Sequence, residues 1–275
     1  MAKVISRIID GPFRIWYALR SLMVLTVRIV DPINGQIYKF IGGSFESFQR
    51  GRCLLSKEPE TISWLRDNLR SDDVFLDVGA NVGVFSIFAG CSISSSGHVY
   101  SIEPHLPTAS ILLQNIAINS LNDRISLLST ALSDEIGFLD FDYRLLRAGA
   151  SGSQLVTKSN IFDVKKVVHE LKQSLSIDYL IDNKIIKAPN LVKIDTDGLE
   201  LPILRGMTKF LRSKQRPRAL TVEIQKGLYQ QHVDFFDSVG YKLDKLSFNG
   251  KWTKLSKKDI QLEELEMNAF FICKN

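Results

Sequence analysis

Four carboxylates in this chain sit at or near the point where an apolar run stops. Asp77 lies in Val74-Phe75-Leu76-Asp77-Val78, Glu103 follows Val99-Tyr100-Ser101-Ile102, Asp195 follows Leu191-Val192-Lys193-Ile194, and Glu223 follows Ala219-Leu220-Thr221-Val222. Runs this short and apolar predict buried strands, and a carboxylate closing a parallel strand lies on the sheet edge where ligands bind. There it can accept hydrogen bonds from hydroxyls, attract a cation or take up a proton. Asp77 is followed by Gly79-Ala80-Asn81-Val82-Gly83, a glycine-bearing turn that runs into a helical pattern, which is a nucleotide-binding geometry.

Glu103, twenty positions after Gly83 and followed by Pro104, stands where the second strand of such a fold presents a carboxylate to a ribose. Simple strand termination is the plainer alternative. Turn and carboxylate together point to an adenosine-containing cofactor. A dinucleotide needs a middle glycine so that the backbone can approach its pyrophosphate, and that position is Asn81. S-adenosylmethionine has no pyrophosphate; it asks for room beside Gly79, Ala80, Asn81 and Gly83 and a carboxylate for its ribose, so the methyl donor fits better than a nicotinamide or flavin dinucleotide. Asp77 either attracts the donor's ammonium, directly or through water, or caps a helix. Leu132 and Ser133 follow the third strand, where this fold frames the adenine, and are expected to touch the cofactor.

The elements that must position these groups follow from the rhythm of the sequence. Strands at 74 to 78, 98 to 102, 125 to 130, 191 to 195 and 219 to 224 alternate with helical stretches, which predicts an α/β domain with a mostly parallel sheet and helices on both faces. The expected architecture is a Rossmann-like sheet of seven strands. Its last two strands are joined without a long crossover helix and form an antiparallel hairpin at the sheet edge, an ending that separates methyltransferase sheets from dehydrogenase sheets. Residues 57 to 275 are assigned to this domain, with an insertion at about 137 to 178 over the ligand edge that contains a strand or helix near 161 to 175. Residues 1 to 56 read as an N-terminal extension with a helix and a small hairpin, marked by Asp31-Pro32, Asn34-Gly35 and Gly42-Gly43.

Composition narrows the partners. A formal charge of +5 spread over 275 residues permits nucleic acid without implying it, and none is expected. Cys53, Cys91 and Cys273 are too few and too far apart for a disulfide framework or a thiolate zinc site, so a reducing cytoplasm is the simpler home. Arg14, Arg20 and Arg28 interrupt the most apolar segment, which excludes a spanning helix there. Residues 13 to 30 suit either peripheral contact with a membrane surface or packing against the domain or a second copy of the chain in a homo-oligomer. Lys251, Lys254, Lys257 and Lys258 with Trp252 read as a solvated basic face or as a contact for an acidic polymer.

At this point the chain resembles the FkbM family of S-adenosylmethionine-dependent methyltransferases. The resemblance rests on Glu58-Pro59-Glu60-Thr61, on Asp77 to Gly83, on Glu103-Pro104 with Leu113, Asn115 and Asn119, and on Lys193-Ile194-Asp195-Thr196-Asp197-Gly198-Leu199-Glu200. It covers about residues 57 to 225. Where this chain has Asp197 the family usually has glutamate, so the carboxylate arm is shorter here. The family implies methylation of a hydroxyl, commonly on a carbohydrate of a polysaccharide or glycolipid or on a natural product.

Methyl transfer from a sulfonium is an in-line displacement, and holding the reacting atoms collinear supplies much of the rate. A sugar hydroxyl also profits from a base or a metal. Parallel pairing puts Asp195 and Glu223 side by side, so either can serve as base or hydrogen-bond partner; with Asp197 they can hold a divalent cation, and both can also be structural caps. Lys193 reads as a salt-bridge partner or a snorkelling lysine. His105 is a further base candidate, or else an ordinary surface histidine; the four histidines lack metal spacing. The polar stretch Gly149 to Ser153 can close over the acceptor or remain a solvated loop. Nitrogen or carboxyl methylation, and a non-catalytic scaffold, are the competing functions.

Overall fold

The computed structural model describes residues 25–156, 168–253 and 262–274, together with Phe13 and Ile15. The described chain opens on a hairpin of β1 (Thr26–Val30) and β2 (Ile37–Ile41), followed by α1 (Phe45–Arg52) and α2 (Pro59–Asn68). Ser44 and Ser47 close a capping box at the start of α1, and Pro59 opens α2 with the φ a first helical residue needs. The expected hairpin is present, but the apolar stretch 13 to 30 ends as a strand, because Thr26, Val27, Ile29 and Val30 are β-branched. Apart from Phe13 and Ile15, the part of that stretch before residue 25 lies outside the described residues.

The main domain continues with β3 (Val74–Val78), α3 (Val84–Ser92), β4 (His98–Ile102), α4 (Leu106–Ile118) and β5 (Ile125–Leu128). A side structure follows, built from β6 (Ala131–Leu132), β7 (Gly137–Tyr143), β8 (Gln154–Leu155) and β9 (Val168–Leu175). The chain then returns through α5 (Ile177–Asp182), β10 (Leu191–Ile194), α6 (Glu200–Arg205), α7 (Thr208–Leu211), β11 (Ala219–Ile224), α8 (Tyr229–Ser238), β12 (Tyr241–Phe248), β13 (Lys251–Thr253) and β14 (Met267–Cys273).

The large sheet has the order β13-β12-β14-β11-β10-β3-β4-β5, parallel from β5 to β11 and antiparallel at β14. It is the expected Rossmann-like sheet, with two refinements. The three residues of β13 add an eighth strand, and β14 lies between β11 and β12 rather than at the outer edge. Ala269, Phe270 and Phe271 are buried on both faces, as an interior strand requires, whereas the lysine-bearing β12 and β13 tolerate the rim. Trp252 on β13 meets Phe270 edge-on with Lys245 over its ring; Lys254, Lys257 and Lys258 lie outside the described residues.

Successive residues of β3 feed opposite cores. Leu76 and Val78 join the layer under α6 and α8, while Phe75 joins Trp64, Phe88 and Leu112 on the other side. Tyr38 and Phe40 of the hairpin enter that second core. Asn115 on α4 ties the hairpin to the turn after β3, accepting from Ile41 N at 2.7 Å and donating to Val82 O at 2.8 Å. Asn119 brackets Lys39 in the same way. The inserted residues join β6 in a four-stranded sheet of order β6-β9-β7-β8, so the described part of the stretch near 161 to 175 is a strand from Val168; residues 157 to 167 lie outside the description.

Candidate active site

Beyond β3 the chain turns through three residues with positive φ, Gly79 (77°), Asn81 (52°) and Gly83 (86°). At Gly79 a Cβ would lie 1.7 Å from the carbonyl oxygen of Asp195, so only glycine lets the turn press on the end of β10. Asn81 holds its left-handed conformation with its own side chain, Oδ1 accepting from Val82 N at 2.9 Å, a local bond that asparagine can make. The amides of Gly79 and Ala80 both donate to Ile102 O at 3.0 Å, which clamps the turn to the end of β4.

Glu103 follows directly. Its two carboxylate oxygens accept from Asn81 N and His105 N, each at 2.8 Å. Burial nevertheless pushes its carboxyl up to about 7, with the two backbone donors opposing. Glu103 and Pro104 line a pocket of about 280 Å³ together with Gly79, Asn81, Leu132, Asp195 and Glu223. Apolar walls come from Val78, Ile102, Phe141, Leu155 and Ile203. Ala80 lines a smaller adjoining recess with Lys57, Glu58 and Phe85.

Three of the sequence candidates line neither the pocket nor the recess. Asp77 is fully buried beneath the turn, where Oδ2 accepts from Ser86 Oγ at 2.6 Å and Oδ1 has no partner among the described residues. Burial raises its carboxyl, with Lys193 opposing. Ser133 is also fully buried, bonded to Ser174 Oγ at 2.9 Å and to Glu135 O at 3.1 Å. Gly83 starts α3, and a Cβ there would strike Leu112.

At the opposite wall the register Ile194↔Val222 sets Asp195 beside Glu223. Lys193, buried under the ring of Phe85 at 4.7 Å, donates to Asp195 Oδ2 at 2.6 Å. The salt bridge is therefore the lysine's role. Burial opposes its charge, yet Asp195, Glu58 and Asp77 raise the ammonium above its ordinary value. Burial would raise Asp195 as well, but Lys193 and a hydrogen bond from Glu223 hold it below the usual carboxylate range. Glu223 goes the other way: burial, then the charge of Asp195, pushes it up to about 10. The pair thus shares one proton at neutral pH.

The loop after Asp195 is fixed by Glu200, whose Oε1 accepts from Thr196 N, Thr196 Oγ1 and Gly198 N at 2.9, 3.0 and 3.1 Å. Among the described residues, no group of three or more His, Cys, Asp and Glu side chains is placed to hold a metal ion. The cation beside Asp195 is the Lys193 ammonium.

A strap between β7 and β8 crosses the pocket mouth. Ser44 Oγ donates to Ala148 O at 2.5 Å, Gly149 N to Thr108 Oγ1 at 3.0 Å, Arg50 Nε to Gly149 O at 2.7 Å, and Gly152 N to Asp197 Oδ2 at 2.8 Å. Arg50 also bonds Ser151. His105 is neither surface residue nor free base: it is buried, with Nδ1 on Thr108 Oγ1 and Nε2 on Leu145 O, both at 2.7 Å. Burial lowers its pKa, so a neutral ring donating from Nε2 fastens the strap. Arg50 and Lys57 line the pocket too. Sequence reasoning missed them because the pattern around Gly79 and Glu103 gives no cue that the N-terminal extension returns here; the Arg50-Gly51-Arg52 cluster just before Glu58-Pro59-Glu60-Thr61 was the available hint.

This fold, with its glycine turn facing a strand-end glutamate, defines a Rossmann-like S-adenosylmethionine-dependent methyltransferase. More narrowly, the chain belongs to the FkbM methyltransferase family: the model described as Methyltransferase FkbM domain matches residues 77–243. The hexuronic acid methyltransferase AglP of Haloferax volcanii is 28% identical over 237 residues, covering 85% of this chain and 87% of that protein. The methyltransferase sdnD of Sordaria araneosa is 25% identical over 162 residues, covering 51% and 62%. A SAM-dependent methyltransferase structure from Aquifex aeolicus superposes with a TM-score of 0.47 at 9% identity, covering 83% of this chain and 96% of that one.

Proposed function

We propose that this methyltransferase acts on an oxygen of a sugar, with Glu103 holding the donor's ribose and Asp195 receiving the acceptor's proton. The carrying observation is the Lys193–Asp195–Glu223 chain, whose two carboxylates line one pocket with the glycine turn. A hexuronic acid methyltransferase among the relatives supports a carbohydrate acceptor. The residues fit the donor: Gly79 and Asn81 bring the turn to the pocket wall, Glu103 offers a buried carboxylate, and Leu132, Phe141 and Leu155 offer apolar surface for a base. Bound there, S-adenosylmethionine supplies a methyl group on a sulfonium.

An alcohol oxygen becomes strongly acidic as it gains the methyl carbon, so a weak but reliably ionised base suffices at that moment. Asp195 meets this demand because Lys193 keeps it charged. Glu223, holding its proton, donates to Asp195 and orients it. The test is incubation of glycan and glycolipid extracts with labelled methyl donor, where label confined to protein or nucleic acid would overturn the sugar reading.

A second reading places the methyl on a sugar carboxylate. It is favoured by the cationic Arg50 and Lys57 in the pocket wall, since a carboxylate needs a counter-charge and no base. Mild alkali separates the two, releasing an ester label and leaving an ether label in place.

A further inference from the structure

The β1–β2 hairpin is built to present apolar side chains outward. Cross-strand partners project to one side, so Val27 with Phe40 and Ile29 with Tyr38 turn inward to the core. Val30 with Ile37 and Arg28 with Lys39 share the outer face. At the tip Ile33 is 72% exposed and Val30 59%. This turn is not loose. Asp31, itself 1% exposed, takes a 2.6 Å ion pair from Arg66, accepts from Ile33 N at 2.9 Å, and pairs through its main chain with Gln36 and Gly35. A buried carboxylate, paired with the partly exposed Arg66, therefore fixes the turn that holds Ile33 out in the solvent.

We propose that this tip docks on an anionic lipid surface. The apolar group Val30, Ile33 and Ile37 lies about 7 Å from the Arg28–Lys39 pair, two residues back along each strand. That separation matches acyl boundary to headgroup, the arrangement interfacial segments use. The 24 residues that precede Leu25 feed directly into this hairpin and repeat the chemistry, with Lys3, Arg7, Arg14 and Arg20 among isoleucine, leucine, valine, Phe13 and Trp16. A second copy of the chain is a poorer occupant, because a twofold contact would set Arg28 and Lys39 against themselves. The inference goes beyond the acceptor reading and does not rest on it. It carries a consequence for that reading, since α1 leads from the hairpin to Arg50 and so places the pocket beside the bilayer.

The full-length protein should float with phosphatidylcholine vesicles containing phosphatidylglycerol, and less so as salt rises. Ile33→Asp is expected to lower partitioning about tenfold, and Arg28→Glu with Lys39→Glu by about fivefold or more per charge. Both variants should bind S-adenosylhomocysteine like the parent by calorimetry, which reports an intact fold and separates this proposal from the methyl-transfer reading. No flotation of the parent overturns the proposal. So does equal flotation of Ile33→Asp, which would assign binding to residues 1 to 24. So too does a dimer in light scattering that Ile33→Asp dissolves without any effect on lipid.

Discussion

The two ends of the pocket hold their carboxylates differently. Glu103 is gripped by two main-chain N–H groups, whereas Asp195 is gripped by a buried ammonium and by a hydrogen bond with Glu223. Main-chain donors carry only partial charge, so burial wins and Glu103 titrates near 7. A full cation reverses the balance at Asp195. The Glu103 end is therefore tunable by protons near neutrality, and the Asp195 end keeps its charge there.

The largest expected break comes from Asp195→Asn, which should lower kcat by about 10² to 10⁴ while calorimetry finds donor affinity within about threefold. Comparable losses in both quantities would merge the two ends into one. Next, Glu103→Gln should weaken S-adenosylhomocysteine binding about 10- to 100-fold, with kcat near the parent's at saturating donor. A third test uses pH. Ribose hydroxyls donate to an ionised Glu103, so binding should weaken about tenfold as pH falls from 8 to 6, and Glu103→Gln should flatten that slope. The sign for the free protein is opposite: the raised carboxyl contributes stability fully below 4.5 and loses it as pH rises through about 7. The smallest effect is assigned to Glu223→Gln, which mimics the protonated acid; a loss of about threefold in kcat is expected, with an alkaline limb near pH 10 in the parent that the variant lacks. A loss as deep as that of Asp195→Asn would make Glu223 the base instead.

The same contrast explains how much could be read in advance. Turn, strand and Glu103 are neighbours in sequence, so local pattern located one wall of the pocket, and strand parity located Asp195 and Glu223 at one edge. The direction of a side chain was not legible where a partner lies far away. Asp77 turns inward because Ser86 Oγ, on the helix beyond the turn, donates to it, and His105 is occupied because Leu145, forty residues later, takes its ring N–H. Arg50 and Lys57 reach the pocket only because Asn115 and Asn119 draw the hairpin onto α4, bringing the extension back over the turn.

The contact of Gly79 with the carbonyl of Asp195 has a consequence for how the site can vary. The glycine turn and the end of β10 touch at the Asp195 carbonyl, so in the proposed reaction the distance the methyl group would travel is set at a contact that only glycine permits. The strap and the N-terminal hairpin lie outside that contact, so changes there would alter the fit of an acceptor without altering that distance. On the proposed reading, acceptor fit and alignment of the reacting atoms would then depend on separate parts of the chain.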